Sequence, residues 1–511
     1  MEGKARKVVG RAGSLLALKA SLLLKECRRD WAAAFTVATI LVRGLLSLLP
    51  VPVTWDEAVY VNLARDYYYF GFHFYFPQQV ILDFSRAPLI SLSVYAAYLL
   101  TGPNHTVAQL VAYAYSVASI YMVYLLSRDM YGERIGRLSA LALACSPFLF
   151  VSSWGILSEP PCIFFSTLFM LLVYRAQKNP RYYVPAGVAL TLTMLARYPS
   201  FIMLIVGLFL VVASGNTRKA FKSPWLYAGL GAALATAAPW LAFSKSLTGS
   251  YTGFLQVFFA STQQWMRDPY MMLLGTTPLD YLVSASYDAL AVVALPGALV
   301  SYFVWGARAG RGSVEGRTLV FWLLSHAVAY GLLMRTARLI DYLRYNETSL
   351  PAVAVLSAVG LAVMLGEGDA TFMGVRSALA GKKKVALLLV AINFAAGFAG
   401  AYVIRSEAAT SESGIAVPFP VYEVLAAATP PDGSILSNIY PIISYYTDRV
   451  CMWFPQIDWL REYTFTYLNV KYVLFNLNRY CPFDTVIYVE SHPETFERIL
   501  VYGGIILYRV K

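Results

Sequence analysis

The chain has 511 residues, of which 58% are hydrophobic and only 14% are charged, and its mean hydropathy is positive. One globular core could not bury so much apolar material, which excludes a soluble single-domain protein and indicates lipid as the main solvent. The net charge of +12 comes from Lys and Arg dispersed in short loops between apolar segments, which favours membrane topology over nucleic-acid binding as its cause.

The N-terminal segment, residues 1–31, is rich in basic side chains and precedes the first long apolar run. No small-residue cleavage site follows that run, so the pattern predicts a basic cytoplasmic arm rather than a signal peptide. The basic residues are Lys4, Arg6, Lys7, Arg11, Lys19, Lys25, Arg28 and Arg29.

A transmembrane domain is predicted over residues 32–404. Stretches of about 17–25 apolar residues are long enough to cross a bilayer, and about eleven can be placed. They lie near 32–50, 107–126, 138–156, 160–175, 183–198, 199–214, 225–244, 282–306, 318–334, 349–366 and 385–404.

The short apolar stretch 87–101 decides the orientation of all later spans. If it lies along the outer interface, the basic loops between spans all face the cytoplasm, as the positive-inside rule requires. Those loops carry Arg128, Arg134 and Arg137; Arg175, Lys178 and Arg181; Arg218, Lys219 and Lys222; Arg308, Arg311 and Arg317; and Lys382 to Lys384. We therefore predict a multi-pass plasma-membrane protein with a cytoplasmic N-terminus, an external loop over 51–106 and an external C-terminal part. The sequons at Asn104 and Asn346 then also face outward.

The C-terminal part, residues 405–511, changes character and predicts a small external α/β domain. Helical patterns at 418–428, 456–467 and 493–500 alternate with β-rich runs at Lys471–Phe475, Thr485–Val489 and Gly504–Arg509. Cys451 and Cys481 both lie in this domain, where a disulfide and two buried thiols are both compatible with the sequence. The five cysteines form no CxxC or Cys/His cluster of the kind that binds zinc.

Polar residues gather in the first predicted external loop. Asp56 and Glu57 open an amphipathic run, where Asp56 could either cap the helix or act as a base toward an acceptor hydroxyl. Glu57 points about 100° away, so it either has a role different from that of Asp56 or is solvated, and the solvated state is favoured. Asp83 and Arg86 are three residues apart, so they could pair with each other, or Arg86 could bind a phosphate.

Further charged residues follow at the predicted outer ends of later spans. Glu159 precedes a Pro-Pro helix start, where an acid favours the helix N-terminus, and Arg197 lies in a tight turn, where snorkelling to the interface is the simplest explanation. The outer loop 335–348 contains Arg338 and Arg344, contrary to the positive-inside preference. Excess arginine on that side indicates an anion such as a lipid phosphate.

Together these positions resemble the polytopic glycosyltransferases of the GT-C superfamily, in the glycosyltransferase family 39-like branch that contains protein O-mannosyltransferases and the bacterial aminoarabinose transferase. In that branch the first external loop carries a DEARYAEIAREM-like helix, which resembles the run beginning at Asp56, and an FEKPPL-like element, which resembles residues 83–89 with Ser-Arg in place of Glu-Lys. A TDMP-like element resembles the run from Ser158 to Pro161, and an RYLLPLLP-like element resembles the run from Arg344 to Pro351. No WWDYG-like motif is present, which argues against an oligosaccharyltransferase catalytic subunit.

The resemblance implies an α-helical polytopic membrane glycosyltransferase that transfers a sugar from a polyprenyl (dolichyl-type) phosphate to a hydroxyl of a protein, lipid or glycan, with inversion. The implied catalytic residues are Asp56, Glu159 and Glu57, and the implied carrier-phosphate site contains Arg86, Asp83, Arg197, Arg344 and Arg338. No metal site is assigned, although a divalent metal stays open, and nucleic acid is not expected as a partner.

Two other classes of protein compete with this interpretation. A transporter or lipid-carrier flippase would line a path at the middle of the membrane with polar residues, whereas here they collect at one surface. A non-catalytic membrane scaffold would need neither Asp56 nor the external arginines. The sugar, the acceptor, the role of the C-terminal domain and the oligomeric state are not specified by these motifs.

Overall fold

The computed structural model describes residues 30–48, 53–71, 84, 86–266, 312–333, 347–365, 420–430, 433–452, 470–477, 483–502 and 504–511. The predicted spans 282–306 and 385–404, most of the basic arm and the loop carrying Arg338 and Arg344 lie outside these residues. The described part consists of a helical N-terminal half followed by a small mixed sheet with its own helices.

The helical half is a set of packed helices with bounds close to the apolar stretches of the sequence. The helices before residue 180 are α1 (Trp31–Leu46), α2 (Trp55–Phe70), α3 (Leu89–Thr101), α4 (His105–Tyr131), α5 (Glu133–Ala144), α6 (Pro147–Trp154) and α7 (Glu159–Ala176). After 3-10 turns at Pro180–Tyr182 and Tyr198–Phe201, the chain continues with α8 (Tyr183–Ala196), α9 (Ile202–Ala213), α10 (Thr217–Phe221), α11 (Pro224–Thr248), α12 (Gly253–Met266), α13 (Val314–Leu333) and α14 (Leu350–Leu365), with a 3-10 turn at Glu347–Ser349 before α14.

The stretch 138–156, predicted as one span, contains two helices, α5 and α6, instead of one continuous helix. Pro147 has no backbone N–H and disfavours helical conformation at Ser146, so the helix breaks between Ala144 and Pro147. The buried side chain of Arg43 donates to the carbonyl oxygen of Ala144 at 3.1 Å and to Ser153 Oγ at 2.9 Å. Arg43 thereby satisfies a carbonyl that the break leaves without a helical partner.

Two of the described helices, α4 and α11, are long and apolar enough to cross a membrane by themselves. Shorter apolar helices occur at Trp31–Leu46, Leu89–Thr101, Tyr198–Ala213 and Leu350–Val363. The total of about eleven spans therefore stays a prediction from the sequence. The short stretch 87–101 forms a helix of 13 residues, α3, which at about 1.5 Å per residue is shorter than the roughly 30 Å bilayer core.

The packing of α8 against α11 is unusually close and depends on two glycines. A Cβ atom on Gly187 would lie 2.0 Å from the carbonyl oxygen of Gly229, and one on Gly229 would lie 2.3 Å from the carbonyl oxygen of Tyr183. Small residues of this kind let two helix backbones approach each other directly. The contact fixes α8, whose last turn leads into Arg197.

The C-terminal domain contains a five-stranded sheet with the order β2-β1-β3-β5-β4. Strand β1 pairs in parallel with β2 and β3, whereas β5 pairs antiparallel with β3 and β4. The elements are α15 (Pro420–Ala428), β1 (Ser434–Ser437), α16 (Tyr440–Thr447), β2 (Val450–Met452), β3 (Val470–Asn476), α17 (Phe483–Ser491), β4 (Phe496–Tyr502) and β5 (Ile505–Val510). The predicted α/β character of this domain is thus confirmed.

Two of its predicted elements are wrong in type. The run Thr485–Val489, predicted as a strand, is part of α17, and the run 493–500, predicted as a helix, leads into β4. Thr485 and Val489 are both buried and four residues apart, which is the spacing of one helix face. Helix α16 was not predicted, and the predicted helix 456–467 lies outside the described residues.

Cys451 is a buried free thiol at the centre of β2. Burial raises the pKa of this thiol well above its ordinary value, so it is neutral at physiological pH. Cys481, the other cysteine considered for a disulfide, lies outside the described residues.

Candidate active site

The start of α2 is fixed by a reciprocal cap between Thr54 and Glu57. The backbone N–H and the hydroxyl of Thr54 both donate to Glu57 Oε2, each at 2.7 Å. The helix therefore begins after Thr54, and Asp56 is its second residue rather than its N-cap. The capping role considered for Asp56 is wrong, but its carboxylate still lies at a helix N-terminus, where the helix dipole stabilises negative charge.

Glu57 is fully buried, so the expectation that it is solvated is wrong. Besides the two groups of Thr54, it accepts a hydrogen bond from the backbone N–H of Ile156 at 3.0 Å. Three donors offset the cost of burying this carboxylate. Glu57 therefore attaches the first turn of α2 to the segment between α6 and α7, which places it beside the candidate base rather than in contact with solvent.

Asp56 forms an ion pair with Arg86, with 2.7 Å between Oδ1 and Nη2. The side chains of Asp56 and Arg86 are 14% and 32% exposed, so the pair borders an accessible surface instead of a sealed core. Asp83, the partner considered for Arg86 in the sequence, lies outside the described residues. The structure thus joins the candidate base to a candidate phosphate ligand across 30 residues of sequence.

Two contacts hold the segment that carries Arg86: a hydrogen bond from a tyrosine hydroxyl and the ring packing of Phe84. The hydroxyl of Tyr198 donates to the carbonyl oxygen of Arg86 at 3.2 Å. Phe84 packs edge-on against Trp240 and Phe243, with ring centroids 5.4 and 5.9 Å away. The segment that carries Arg86 is therefore anchored to the turn after α8 and to α11.

A second ion pair, between Glu159 and Arg197, is buried. Glu159 Oε1 lies 3.0 Å from Arg197 Nη1, and the two side chains are 0% and 8% exposed. Glu159 is the first residue of α7, as predicted, and is followed by prolines in the first turn. Arg197 does not snorkel to the interface; that explanation is wrong, because its guanidinium is directed inward to Glu159.

Two hydrogen bonds between segments bring these groups to one region. Ile156, which holds Glu57, lies three residues before Glu159, and Tyr198, which holds Arg86, directly follows Arg197. The structure therefore places together the five sequence candidates that it describes: Asp56, Glu57, Arg86, Glu159 and Arg197. Arg338 and Arg344 lie outside the described residues.

Sequence reasoning missed Thr54, Tyr198 and the backbone of Ile156 as parts of this region. The first of these had a recognisable signal, since Thr-x-x-Glu before an amphipathic run is the pattern of a capping box. Tyr198 had none, because a tyrosine beside a turn is common at membrane interfaces.

The region combines an accessible carboxylate with guanidinium groups, which suits the binding of a phosphate next to a hydroxyl that must lose its proton. Within the described ranges, no three His, Cys, Asp or Glu side chains come together in a way that could hold a metal ion. The described residues therefore do not decide whether the protein binds a divalent metal.

Residues 85–243 match the family model described as dolichyl-phosphate-mannose-protein mannosyltransferase. This segment contains Arg86, Glu159 and Arg197 and ends within α11. A comparison with curated protein sequences finds no significant match.

Among solved structures, the chain is similar to ArnT from Cupriavidus metallidurans in the apo state, with a TM-score of 0.64 and 13% identity, over 94% of this chain and 98% of that one. The ArnT structure bound to undecaprenyl phosphate matches with the same TM-score at 16% identity, again over 94% and 98% of the two chains. Archaeal oligosaccharyltransferase AglB from Archaeoglobus fulgidus, in complex with an inhibitory peptide and a dolichol-phosphate, matches with a TM-score of 0.54 and 14% identity, over 91% of this chain and 71% of that one.

At these identities the structural matches establish the fold, which this chain shares with ArnT and AglB. The family match and the fold together indicate a glycosyltransferase, and the resemblance predicted from the sequence is confirmed.

Proposed function

We propose that this membrane glycosyltransferase transfers one sugar from a polyprenyl phosphate to a hydroxyl acceptor on the outer face of the membrane, with inversion at the anomeric carbon. The carrier class is supported by the undecaprenyl phosphate bound to ArnT and the dolichol-phosphate bound to AglB. The family match to residues 85–243 supports a phosphate-linked sugar as donor. Protein, lipid and glycan hydroxyls are all compatible acceptors.

The single observation that carries the proposal is the ion pair between Asp56 and Arg86. It holds a base for the acceptor next to a cation for the leaving group, on a surface that both substrates can reach. While Arg86 neutralises Asp56, the carboxylate is a weak base. We infer that the carrier phosphate takes over Arg86 when the donor binds, which frees Asp56 to act on the acceptor.

In the proposed reaction the acceptor oxygen attacks the anomeric carbon as its proton moves to Asp56, and the bond between that carbon and the phosphate oxygen breaks. The polyprenyl phosphate leaves with the bonding electron pair, and Arg86 offsets its developing charge. Inversion follows because a single displacement forms no covalent intermediate with the protein. Glu159 and Arg197 are proposed to support the sugar and phosphate, with Asp83, Arg338 and Arg344 as further candidates for the phosphate site.

The proposed topology puts residues 1–31 in the cytoplasm, residues 32–404 in the membrane and residues 405–511 outside the cell. It rests on the basic loops of the sequence, and it gives the site and the C-terminal domain the same side of the membrane. A polyprenyl phosphate keeps its headgroup at the interface, so a site at the ends of the spans is where the transferable bond would lie.

Asp56→Asn tests the role of the base directly. We expect the variant to lose at least about 99% of transfer to a hydroxyl acceptor, because general base catalysis contributes roughly 10²–10⁴-fold. The measurement is single-turnover transfer by purified enzyme in detergent or nanodiscs, supplied with a polyprenyl-phosphate sugar.

The matched control is Asp129→Asn. Asp129 also pairs with an arginine, Arg175, at 2.7 Å, but it lies at the opposite end of α4 from His105, about 36 Å along the helix. This control should keep its activity. Transfer by Asp56→Asn at the wild-type rate would refute the assignment of the base.

A further inference from the structure

The C-terminal domain lies directly on the helix that carries Asp56. Helix α16 packs along α2, and its Tyr440 ring meets the ring of Trp55 edge-on with centroids 5.3 Å apart. Asn62 donates to the carbonyl oxygen of Pro441 at 2.9 Å. Trp55 immediately precedes Asp56, so this contact lies next to the proposed base.

A polar contact at the end of α16 strengthens the same interface. Arg65 forms an ion pair with Asp448 at 3.0 Å, donates to the carbonyl oxygen of Tyr445 at 3.2 Å and lies over its ring. The hydroxyl of Tyr445 lies 2.6 Å from His105 Nδ1, at the start of α4. The domain therefore contacts two helices of the membrane half, with most of its contacts on α2.

Segment 53–58 belongs to the core of the C-terminal domain. Val53 and Ala58 are 3% and 0% exposed, and they pack in one cluster with residues of the sheet and of α15 and α16. Those residues are Tyr422, Leu425, Ile435, Ile439, Ile442, Ile443, Cys451, Tyr472, Leu474, Ile505 and Leu507. Because the cluster is shared, the position of the segment and the packing of the domain depend on each other.

This segment is also held by a hydrogen bond from each side, one through its backbone and one through a side chain. The N–H of Val53 donates to the hydroxyl of Tyr446 at 3.0 Å, and the ring of Tyr446 is stacked on Tyr422 at 4.2 Å. On the other side, Glu57 is bound to the N–H of Ile156. Asp56 lies between these two attachments, one in the C-terminal domain and one in the membrane half.

We propose that the C-terminal domain positions the catalytic carboxylate, with Tyr446 as a positioning residue that holds the backbone of Val53 and thereby sets Asp56 against Arg86. This inference rests on the proposed function of Asp56. It assigns the domain a part in the transfer step itself, in addition to any part in binding an acceptor. Reactions of this kind are sensitive to displacements of the base by about 1 Å, so a single lost attachment has a measurable effect on the rate.

Tyr446→Phe removes the acceptor for the Val53 N–H and keeps the ring that stacks on Tyr422. We expect kcat per donor-binding site to fall about tenfold, since one hydrogen bond of ordinary strength no longer orders the segment. The number of donor-binding sites and the Kd for undecaprenyl phosphate should be unchanged, because the described contacts of Tyr446 are with Val53, Tyr422 and Tyr445. Normalising to donor-binding sites removes any effect of a smaller folded fraction.

The matched control is Tyr508→Phe in the same domain. Tyr508 lies on β5, which pairs with β4, and its hydroxyl donates to Glu490 on α17. This variant loses one tyrosine hydroxyl bond, as Tyr446→Phe does, but should keep kcat within about twofold of wild type.

Asp448→Asn provides a second test that does not depend on Tyr446. Asp448 has a left-handed backbone with φ of 53°, which asparagine also accepts, so the variant breaks the pair with Arg65 without backbone strain. Its side chain is 78% exposed, and we expect a decrease in kcat of about twofold at low salt that disappears at high salt.

An unchanged kcat per donor-binding site in Tyr446→Phe, or an equal decrease in Tyr508→Phe, would overturn the positioning role. Neither result would bear on Asp56 as the base, which is decided by Asp56→Asn alone. If Asp56→Asn is fully active and Tyr446→Phe is slow, the proposed function fails while the domain is still coupled to the site.

Discussion

The two ion pairs of the site differ in burial, and this difference determines how each responds to mutation. Asp56 and Arg86 are partly exposed, so either side chain can be rehydrated when the other is removed. Glu159 and Arg197 are almost fully buried, so removal of one leaves a charge without its ionic partner in a medium of low polarity. The exposed pair should therefore tolerate the loss of one partner better than the buried pair, whose charges also join the start of α7 to the turn after α8.

We therefore expect Arg197→Met to destabilise the protein strongly, by about 3–5 kcal/mol, because Glu159 keeps its charge while losing its counterion. The double variant Glu159→Gln with Arg197→Met should recover much of that loss, since no buried charge is left. The measurement is thermal unfolding of purified protein in one detergent. Additive losses from the two substitutions would show that the pair contributes no coupling.

At this scale the sequence predicts which charged residues come together in one region better than it predicts their partners. Asp56 and Glu159 are predicted from short motifs at the ends of predicted spans, which are local properties of the chain. The partner of Arg86 could not be identified in that way, because Asp56 is distant in sequence and Asp83 is only three residues away. The burial of Glu57 depends on Ile156, on a separate segment.

At the scale of elements, the apolar stretches predicted the helices well wherever a single helix fills the stretch. The prediction of one continuous helix over 138–156 is wrong, because average hydropathy does not register Pro147, whose missing backbone N–H breaks the helix. The element types predicted around Thr485 and Phe496 are wrong for another reason. Short β-branched or amphipathic runs fit either a helix or a strand, and the packing of β4 on β5 decides between them.

The close packing of α8 on α11 gives a prediction with a control in the same helix. Gly229→Ala should lower the unfolding temperature clearly, because its Cβ would lie 2.3 Å from the carbonyl oxygen of Tyr183 and the helices must separate. Gly231→Ala should be neutral or stabilising, since nothing lies within 4 Å of its Cβ and alanine favours a helix by up to about 1 kcal/mol over glycine.

The transfer rate should follow the same order, because α8 leads into Arg197. Equal unfolding temperatures for Gly229→Ala and Gly231→Ala would mean that the two helices do not approach each other as closely as described.

At the scale of the whole molecule, the predicted orientation can be tested by thiol labelling of intact cells. In a background with Cys27 and Cys481 replaced by Ser, Ile487→Cys should react with a membrane-impermeant maleimide, because this position is 56% exposed on the proposed external domain. Lys219→Cys, at an exposed position of the short basic helix α10, should react only after the membrane is permeabilised. Labelling of both in intact cells would contradict the proposed topology.

The contact between α16 and α2 also determines when during synthesis the site can form. Val53 and Tyr446 are separated by 393 positions in the chain. At about 5–20 residues per second, the ribosome needs roughly 20–80 s to make the intervening chain. During that interval Val53 and Ala58 lack the sheet that covers them, so the first loop cannot yet hold Asp56 in its final place. The hydrogen bond that attaches Val53 to Tyr446 can therefore form only after helix α16 has been synthesised.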